Sequence, residues 1–339
     1  MSSADSAEWK SIYNILDLLT CSEYVSGEDL GESLSISRAG VWKYIKKIEQ
    51  LGINVESIKG KGYRLGHHLS LLKVEKMDLL LEPLIKKNIT SLEVFPVITS
   101  TNSFLLDQKN IKGKLCLAEM QTSGRGRRGR QWISPFARNI YLSIGWRFES
   151  GIAAVQGLSL AVGVAIVDAL KKYHLDDVYL KWPNDVVVKS SNYSGYKKLA
   201  GILIELRGDL SGDCELIIGV GLNYDMEIDQ SIDQPWIDLR QMMKGSSLGL
   251  PTRNELAAGM VNEIVALLTD YETQTFSSYR ERWEMLNVHH QQAISITLGD
   301  KLIDGIFCAL NDEGALILRK TSGETMIFNG GEISIRDLQ

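Results

Sequence analysis

Four short stretches hold the residues best placed to do chemistry. The first, residues 123–132, is SGRGRRGRQW, four arginines set among three glycines. Gly124, Gly126 and Gly129 spell G-x-G-x-x-G, and Glu149 follows about twenty residues on, the spacing of a dinucleotide-binding turn. Such a turn needs its third glycine to open a helix that leads to the next strand. Here RQWISPFARN follows Gly129, with Pro135 in its middle and the next strand starting near Asn139, so no helix of useful length fits. The fingerprint match is accidental. The segment reads instead as a mobile loop carrying Arg125, Arg127, Arg128 and Arg130. Taken alone, a solvated basic loop is the simpler reading.

The other three stretches are TSTN (residues 99–102), KWPND (181–185) and KLAGILIEL (198–206). Each lies at the edge of a strand-like segment. LEVFPVIT, LCLAEM, NIYLSIGWRF, VYLKW, DVVV, LAGILIEL and ELIIGVGLN all have the β-branched and aromatic content of strands. An apolar helix over 153–173 interrupts them, and further helices are expected over 253–268 and 273–286. A leucine-rich helical connector covers residues 69–85. From about His289 onward, ISITLG, KLIDGIFCALN, ALILRK, ETMIFNG and EISIRD form short β segments with turn residues between them, which suggests a small barrel. The SSNYSG stretch at 190–195 is the best candidate for a flexible loop.

Ahead of this lies a separate compact unit, residues 8–66. Trp9, Ile12, Ile15, Leu16 and Leu19 recur at helical spacing. Ser26 and Ser37 are placed as N-caps of two more helices, with Glu28 and Asp29 favouring the first turn after Ser26. Gly52 closes the last helix, and INVESIKGKGYRLG reads as two strands around a Gly60-Lys61-Gly62 turn. The pattern is a helix, a helix–turn–helix and a β wing. Residues 34–64 hold Arg38, Lys43, Lys46, Lys47, Lys59, Lys61 and Arg64 against Glu49 and Glu56. Lys43, Lys46 and Lys47 share one face of the second helix of the motif, and Val41, Ile45 and Ile48 the other. Most lysine faces are merely solvated. This one belongs to the helix that such a motif lays in the major groove, which points to DNA, with Ser37, Arg38, Lys43, Lys46, Lys47 and Lys61 as the expected contacts.

Size and composition set outer bounds. At 339 residues, two or three domains are expected, and 44% hydrophobic with 23% charged residues suits an ordinary soluble protein. A net charge of −5 excludes a generic nucleic-acid coat. Cys21, Cys116, Cys214 and Cys308 form no C-x-x-C pair, offer neither a metal site nor a disulfide framework, and suit a reducing cytoplasm. The N-terminal MSSADSAEWK lacks an export signal's basic and apolar regions. The apolar GIAAVQGLSLAVGVAIVDAL, residues 151–170, contains Gln156, Ser159 and Asp168. A helix buried on a sheet explains it better than a membrane span.

QTSGRGRRGRQWISP, TSTN, KWPND and KLAGILIEL together closely resemble the bifunctional biotin protein ligase and biotin operon repressor family of bacteria. The resemblance covers essentially the whole chain. It implies an α+β protein with a winged helix–turn–helix DNA-binding domain (1–66), a mixed α/β catalytic core of the class II synthetase-like kind (67–288) and a C-terminal SH3-like β-barrel (289–339). It implies condensation of biotin with ATP, supplied with Mg²⁺, to biotinyl-5′-AMP, and transfer of biotin to a lysine of the biotin carboxyl carrier protein of acetyl-CoA carboxylase. It further implies repression at a palindromic operator by a homodimer for which biotinyl-5′-AMP is corepressor. No membrane partner is expected.

The same resemblance assigns roles. A carboxylate attacking the α-phosphate brings two anions together, so cationic side chains and Mg²⁺ are the expected stabilisers. Lys198 would reach both groups, and Lys197 is a solvated neighbour. Arg125 and Arg127, with Gly126 allowing close backbone approach, belong to a loop that orders over biotin and the adenylate and excludes water from a mixed anhydride. Ser100, Thr101, Asn102 and Gln121 would bind the ureido ring and its surroundings, while Gly201, Leu203 and Gly219 suit the thiophene ring and valeryl chain. Pro183 fixes a turn from which Asn184 and Asp185 project, Asp185 to orient or deprotonate the carrier lysine. Trp132 and Trp236 are stacking surfaces for adenine, and Asn223 is an adenylate contact.

Two departures from the family pattern stand out. Twelve residues separate Asp185 from Lys198 where repressor-type members have a shorter turn, and YDMEIDQSIDQP before Trp236 is acidic where basic character is expected. Two rivals remain. A lipoate–protein ligase shares the core chemistry but needs neither RGRRGR nor a winged helix. A ligand-sensing transcription factor with a vestigial ligase core has no use for Lys198 and Asp185.

Overall fold

The computed structural model describes residues 3–151, 155–190, 195–208, 213–226, 232, 234–330 and 333–337. Most of the loop expected at 190–195 therefore lies outside the described residues, as does much of the acidic stretch at 224–235. Two compact units divide the chain: Met1–Leu71 with Pro135–Ala137, and Leu72–Ser134 with Arg138–Gln339.

The first unit contains helices α1 (Ser3–Leu18), α2 (Gly27–Leu34) and α3 (Arg38–Gln50), then strands β1 (Val55–Ile58) and β2 (Gly62–Leu65). Both expected caps are in place. The Ser26 hydroxyl accepts the Asp29 N–H at 3.0 Å and the Ser37 hydroxyl that of Gly40 at 3.2 Å. Gly52, with φ +83°, follows the last turn of α3 and donates its N–H to the Glu49 carbonyl at 3.0 Å. Val41, Ile45 and Ile48 of α3 are buried with Ile12, Ile15 and Leu16 of α1 and Leu30 of α2. β1 and β2 pair antiparallel as a wing, in the register Val55↔Leu65 to Ile58↔Gly62.

In the second unit the expected connector helix is two pieces, α4 (Val74–Leu80) and α5 (Pro83–Lys86). Pro83 cannot donate to a continuing helix and instead opens the next one. There follow β3 (Ser91–Ile98), α6 (Thr101–Leu106), β4 (Lys114–Gln121), β5 (Asn139–Phe148), α7 (Leu158–Lys171), β6 (Tyr179–Lys181), β7 (Asp185–Lys189), β8 (Tyr196–Gly208) and β9 (Cys214–Asn223). These strands make one seven-stranded sheet in the order β3-β4-β5-β9-β8-β7-β6, parallel between β3 and β4 and antiparallel elsewhere. Three helices come next, α8 (Leu239–Met242), α9 (Arg253–Gln274) and α10 (Ser277–Leu286). α9 outruns the expected 253–268, because its capping box at Thr252 and Glu255 starts a helix that stays buried as far as Tyr271.

The two-residue period of the strands sorts the sheet into two faces. Ile140, Leu142, Ala200, Ile202, Ile218, Val220 and Leu222 join α7 and α9 in the core. Tyr141, Leu203, Gly201, Gly219 and Gly221 alternate with them on the face that lines a cavity. The apolar helix that mimics a membrane span is α7, covered nearly throughout by this packing. No helix among the described residues is long and apolar enough to cross a membrane.

The chain ends in β10 (Ala293–Leu298), β11 (Lys301–Leu310), β12 (Leu316–Arg319), β13 (Thr325–Phe328) and β14 (Ile333–Asp337), an antiparallel sheet in the order β13-β12-β11-β10-β14. Ile294, Ile296, Phe307, Leu316 and Leu318 belong to the same core cluster as α7 and α9. The small C-terminal β element therefore packs as part of the second unit.

One charged pair lies inside that core. Arg253 and Glu119 are both 0% exposed and bonded to each other. The Arg253 Nε–H also donates to the Asn139 carbonyl at 2.9 Å, and Glu119 Oε1 accepts the Leu72 N–H at 2.7 Å.

Candidate active site

A β-bulge decides which lysine reaches the cavity. Along β7 and β8, Asp185 pairs with Gly201 and Val186 with Ala200, but Val187 pairs with Lys198, so Leu199 is the extra residue. In an unbroken strand, side chains two apart share a face, which would send Lys197 and Leu199 to the side of Gly201. The inserted residue reverses that parity. Leu199 turns into the core and Lys198 enters the cavity, with its Nζ 2.7 Å from Asp185 Oδ1. The same ammonium sits 5.4 Å from the centre of the Trp132 ring.

The cavity measures about 590 Å³, room for a ligand of several rings. It brings together Ser100, Thr101, Asn102, Gln121, Arg125, Gly126, Arg127, Trp132, Asn184, Asp185, Lys198, Gly201, Leu203 and Gly219. Glycine makes its floor flat. Tyr141, Gly221 and Gly201 are paired across β5, β9 and β8, and Ser143, Gly219 and Leu203 form the next such row. A Cβ on Gly221 would lie 2.4 Å from the Trp132 indole, and one on Gly219 2.3 Å from Asn102 Oδ1. The sequence signal for Gly221, the alternation G-V-G in ELIIGVGLN, carries no weight until the strand's faces are known.

The polar end is a closed hydrogen-bond set. Gln121 Oε1 accepts the Thr101 N–H at 2.9 Å and its hydroxyl at 3.2 Å. The Ser143 hydroxyl stands 2.7 Å from that of Thr101 and 2.5 Å from Asn102 Oδ1. Ser100 is the N-cap of α6, its hydroxyl accepting the Ser103 N–H at 3.4 Å, so its first role is local.

The arginine loop folds over the site without opening a helix. It forms only a 3-10 turn at Arg127–Gly129, where Arg128 (φ 57°) and Gly129 (φ 69°) are left-handed. Arg125 Nη2 donates to Glu205 Oε2 at 2.7 Å, and the Asn102 amide donates to the same oxygen at 2.8 Å. Arg127 donates to Asn184 Oδ1 at 2.9 Å and to the carbonyl of Gly330. Burial lowers the Arg127 pKa, opposed by the charge of Asp185 and reinforced by Arg128. Close backbone approach within the loop falls to Gly124 rather than Gly126. A Cβ on Gly124 would lie 2.5 Å from the Trp132 carbonyl, whereas one on Gly126 meets nothing nearer than 3.4 Å.

Pro183, in a cis peptide with Trp182, makes the turn from β6 to β7. The Asn184 amide donates to the Ile202 carbonyl at 2.8 Å, fixing the side chain that receives Arg127. The described lining takes in neither Asn223 nor Trp236. The Asn223 amide donates to the carbonyls of Lys198 (3.3 Å) and Ile237 (3.1 Å). Residues flanking Trp236 pair with the Lys198 backbone, whose N–H donates to the Pro235 carbonyl at 2.9 Å. The Asn223 side chain and the two residues flanking Trp236 thus hold the backbone of Lys198. Glu205, Ser143, Gly221 and the C-terminal Gly330, Ile333 and Ile335 are site residues that the sequence did not single out.

On the first unit, Arg38, Lys43, Lys46 and Lys61 are exposed and Lys47 is half-buried. Lys46 pairs with Glu49 at 2.7 Å and Lys47 with Glu8, so part of the lysine face is already neutralised.

A glycine-floored cavity under an arginine loop, carried on a mixed sheet in a chain that also holds a helix–turn–helix unit, defines a ligase joined to a regulator. Residues 94–223 match the Biotin/lipoate A/B protein ligase family, residues 12–64 an HTH domain and residues 289–336 the Biotin protein ligase C terminal domain. The chain is 39% identical to the bifunctional ligase/repressor BirA of Escherichia coli, over 96% of this chain and 97% of that protein. It is 30% identical to the biotin--[acetyl-CoA-carboxylase] ligase of Mycobacterium tuberculosis over 71% of this chain and 88% of that one. A solved structure of the Aquifex aeolicus biotin protein ligase in complex with biotin and ATP superposes with a TM-score of 0.62 at 25% identity, covering 74% of this chain and all of that one. The chain belongs to the bifunctional biotin protein ligase/repressor family, and it is a biotin protein ligase.

Proposed function

We propose that this chain couples biotin to ATP, supplied as its Mg²⁺ complex, forming biotinyl-5′-AMP and pyrophosphate. It then transfers the biotinyl group to a lysine of the biotin carboxyl carrier protein, releasing AMP. The observation that carries the reading is the Lys198–Asp185 pair, set 2.7 Å apart in the cavity under the arginine loop. The Lys198 ammonium offsets the charge that gathers as the biotin carboxylate attacks the α-phosphate. Asp185, already touching it, then takes or orients a proton of the carrier lysine, which attacks the acyl carbonyl only as the neutral amine. The polar set around Thr101, Asn102 and Gln121 would receive the ureido ring, Gly201, Leu203 and Gly219 the apolar part, and Trp132 the adenine. Trp236 would offer adenine a second stacking surface and Asn223 a contact to the adenylate, while the Asn223 amide braces the Lys198 carbonyl.

The three parts 1–66, 67–288 and 289–339 serve as DNA-binding domain, catalytic domain and a C-terminal domain that lends the site Gly330. Biotinyl-5′-AMP acts as corepressor in the cytoplasm, favouring a homodimer that reads a palindromic operator. Native mass spectrometry with biotin and ATP tests both halves, since it reads retained adenylate and oligomeric state together. The expected result is a dimer carrying biotinyl-AMP. Adenylate retention with lipoate but not biotin overturns the substrate. An unchanged monomer–dimer balance overturns the corepressor role and leaves the ligase standing.

The loop supports a separate prediction. Arg125 and Arg127 tie it down at Glu205 and at Asn184, so cutting one tie should raise the rate at which it opens. Arg127→Gly is expected to let biotinyl-AMP escape and label lysines of bystander proteins. A stopped-flow release assay that finds retention unchanged would contradict it.

A further inference from the structure

Helix α3 carries a large apolar side chain where a solvated helix has no use for one. Its outer stripe runs Ala39, Trp42, Lys43, Lys46 and Gln50, all exposed, opposite the buried Val41, Ile45 and Ile48. Trp42 is 56% exposed, and the described residues place only the Lys46 ammonium, 6.0 Å away, over its ring. A single exposed apolar residue is ordinary on any surface. Its surroundings are what set this one apart. Arg38 and Lys43 make no ion pair among the described residues, so the indole is flanked by free cations in the first two turns of the helix that a helix–turn–helix lays in the major groove. Such cations fix the helix on phosphates, which carry no sequence information, or bond the polar edge of guanine. An indole neutralises no phosphate. What it matches in the major groove is the one apolar group displayed there, the C5-methyl of thymine.

We propose that Trp42, with Ala39 beside it, reads thymine methyl groups in duplex DNA, and so sets operator specificity where the lysines set affinity. This rests on the DNA-binding reading above, and the occupant follows from charge: cations surround the ring, and the wing adds exposed Lys59 and Lys61. The indole face excludes water from the methyl, and the loss of that contact is confined to one base step. Trp42 has little packing to lose, so its removal leaves the unit folded.

The test uses the full-length protein with biotin and MgATP. A random duplex pool is selected for binding, and the enriched duplex is made twice, once with thymine and once with uracil, which lacks only the methyl. Wild type is expected to bind the uracil duplex about tenfold more weakly, a loss of the size of one mismatched base pair. Trp42→Ala should show that same loss on the thymine duplex and no further loss on uracil. Its salt dependence should stay that of wild type, whereas Lys43→Ala lowers the salt slope by about one. If Trp42→Ala weakens both duplexes equally, or neither, the methyl contact is wrong while DNA binding stands. If no duplex is enriched, both readings fall together.

Discussion

Lys198→Ala is expected to lose adenylate synthesis by at least two orders of magnitude while the protein keeps its fold. Removing one preorganised contact to a developing charge costs about 3–4 kcal/mol, roughly two to three factors of ten in rate. The cavity makes the estimate specific to this side chain. The bulge at Leu199 excludes Lys197 from the site, so no neighbouring ammonium takes over. Biotin-dependent exchange of pyrophosphate with ATP measures the first half-reaction, and a melting curve checks the fold. The ion pair adds a second expectation. Asp185→Asn leaves the ammonium in place but removes the carboxylate, so adenylation should survive better than transfer to the carrier lysine. Single-turnover measurement of each half separates them, and equal losses would take the base role away from Asp185.

How legible the molecule was depended on whether a signal was local. Ser26 and Ser37 accept N–H groups, and Gly52 donates its own N–H to a carbonyl, all within three residues, and their caps formed as their sequence positions implied. The RGRRGR loop was recognisable as no Rossmann turn because Pro135 leaves no room for a helix, and the chain has none there. The site's polar and glycine residues came from motif resemblance, and the cavity gathers them. What stayed hidden depended on partners far away in the chain. Glu205 looks like any strand-end carboxylate until Arg125 arrives from eighty residues upstream. Asn223 ends a strand beside the site but turns its amide to the Lys198 and Ile237 carbonyls. The parity of Lys197 and Lys198 was equally closed to inspection, because no residue type announces a bulge. Trp42 lay within a legible helix. Its exposure became visible only once the opposite face was packed.

The buried pair of Arg253 and Glu119 gives the largest expected effect on stability, and no pattern in the sequence announces it. Both side chains are fully buried, so replacing either leaves the other charged and without its ionic partner away from water, at a cost of about 3–5 kcal/mol. Arg253→Met and Glu119→Gln should each lower the midpoint of unfolding by roughly 10 °C, taking about 2–4 °C per kcal/mol for a unit of this size. Their double variant should cost less than the sum, because the second change removes the charge that the first one stranded. Glu119→Gln also retains an oxygen for the Leu72 N–H, which limits its damage to the lost charge. Function should follow from position. Glu119 lies on β4 two residues before Gln121, and Arg253 grips the Asn139 carbonyl on β5 two residues before Tyr141. The pair thus holds the two strand ends that carry the polar end of the cavity. Single variants that still fold at low temperature are expected to raise KM for biotin more than they lower kcat, since the Lys198–Asp185 pair stands on other strands. Fully additive single losses, or a biotin KM equal to wild type, would reduce the pair to one more buried contact.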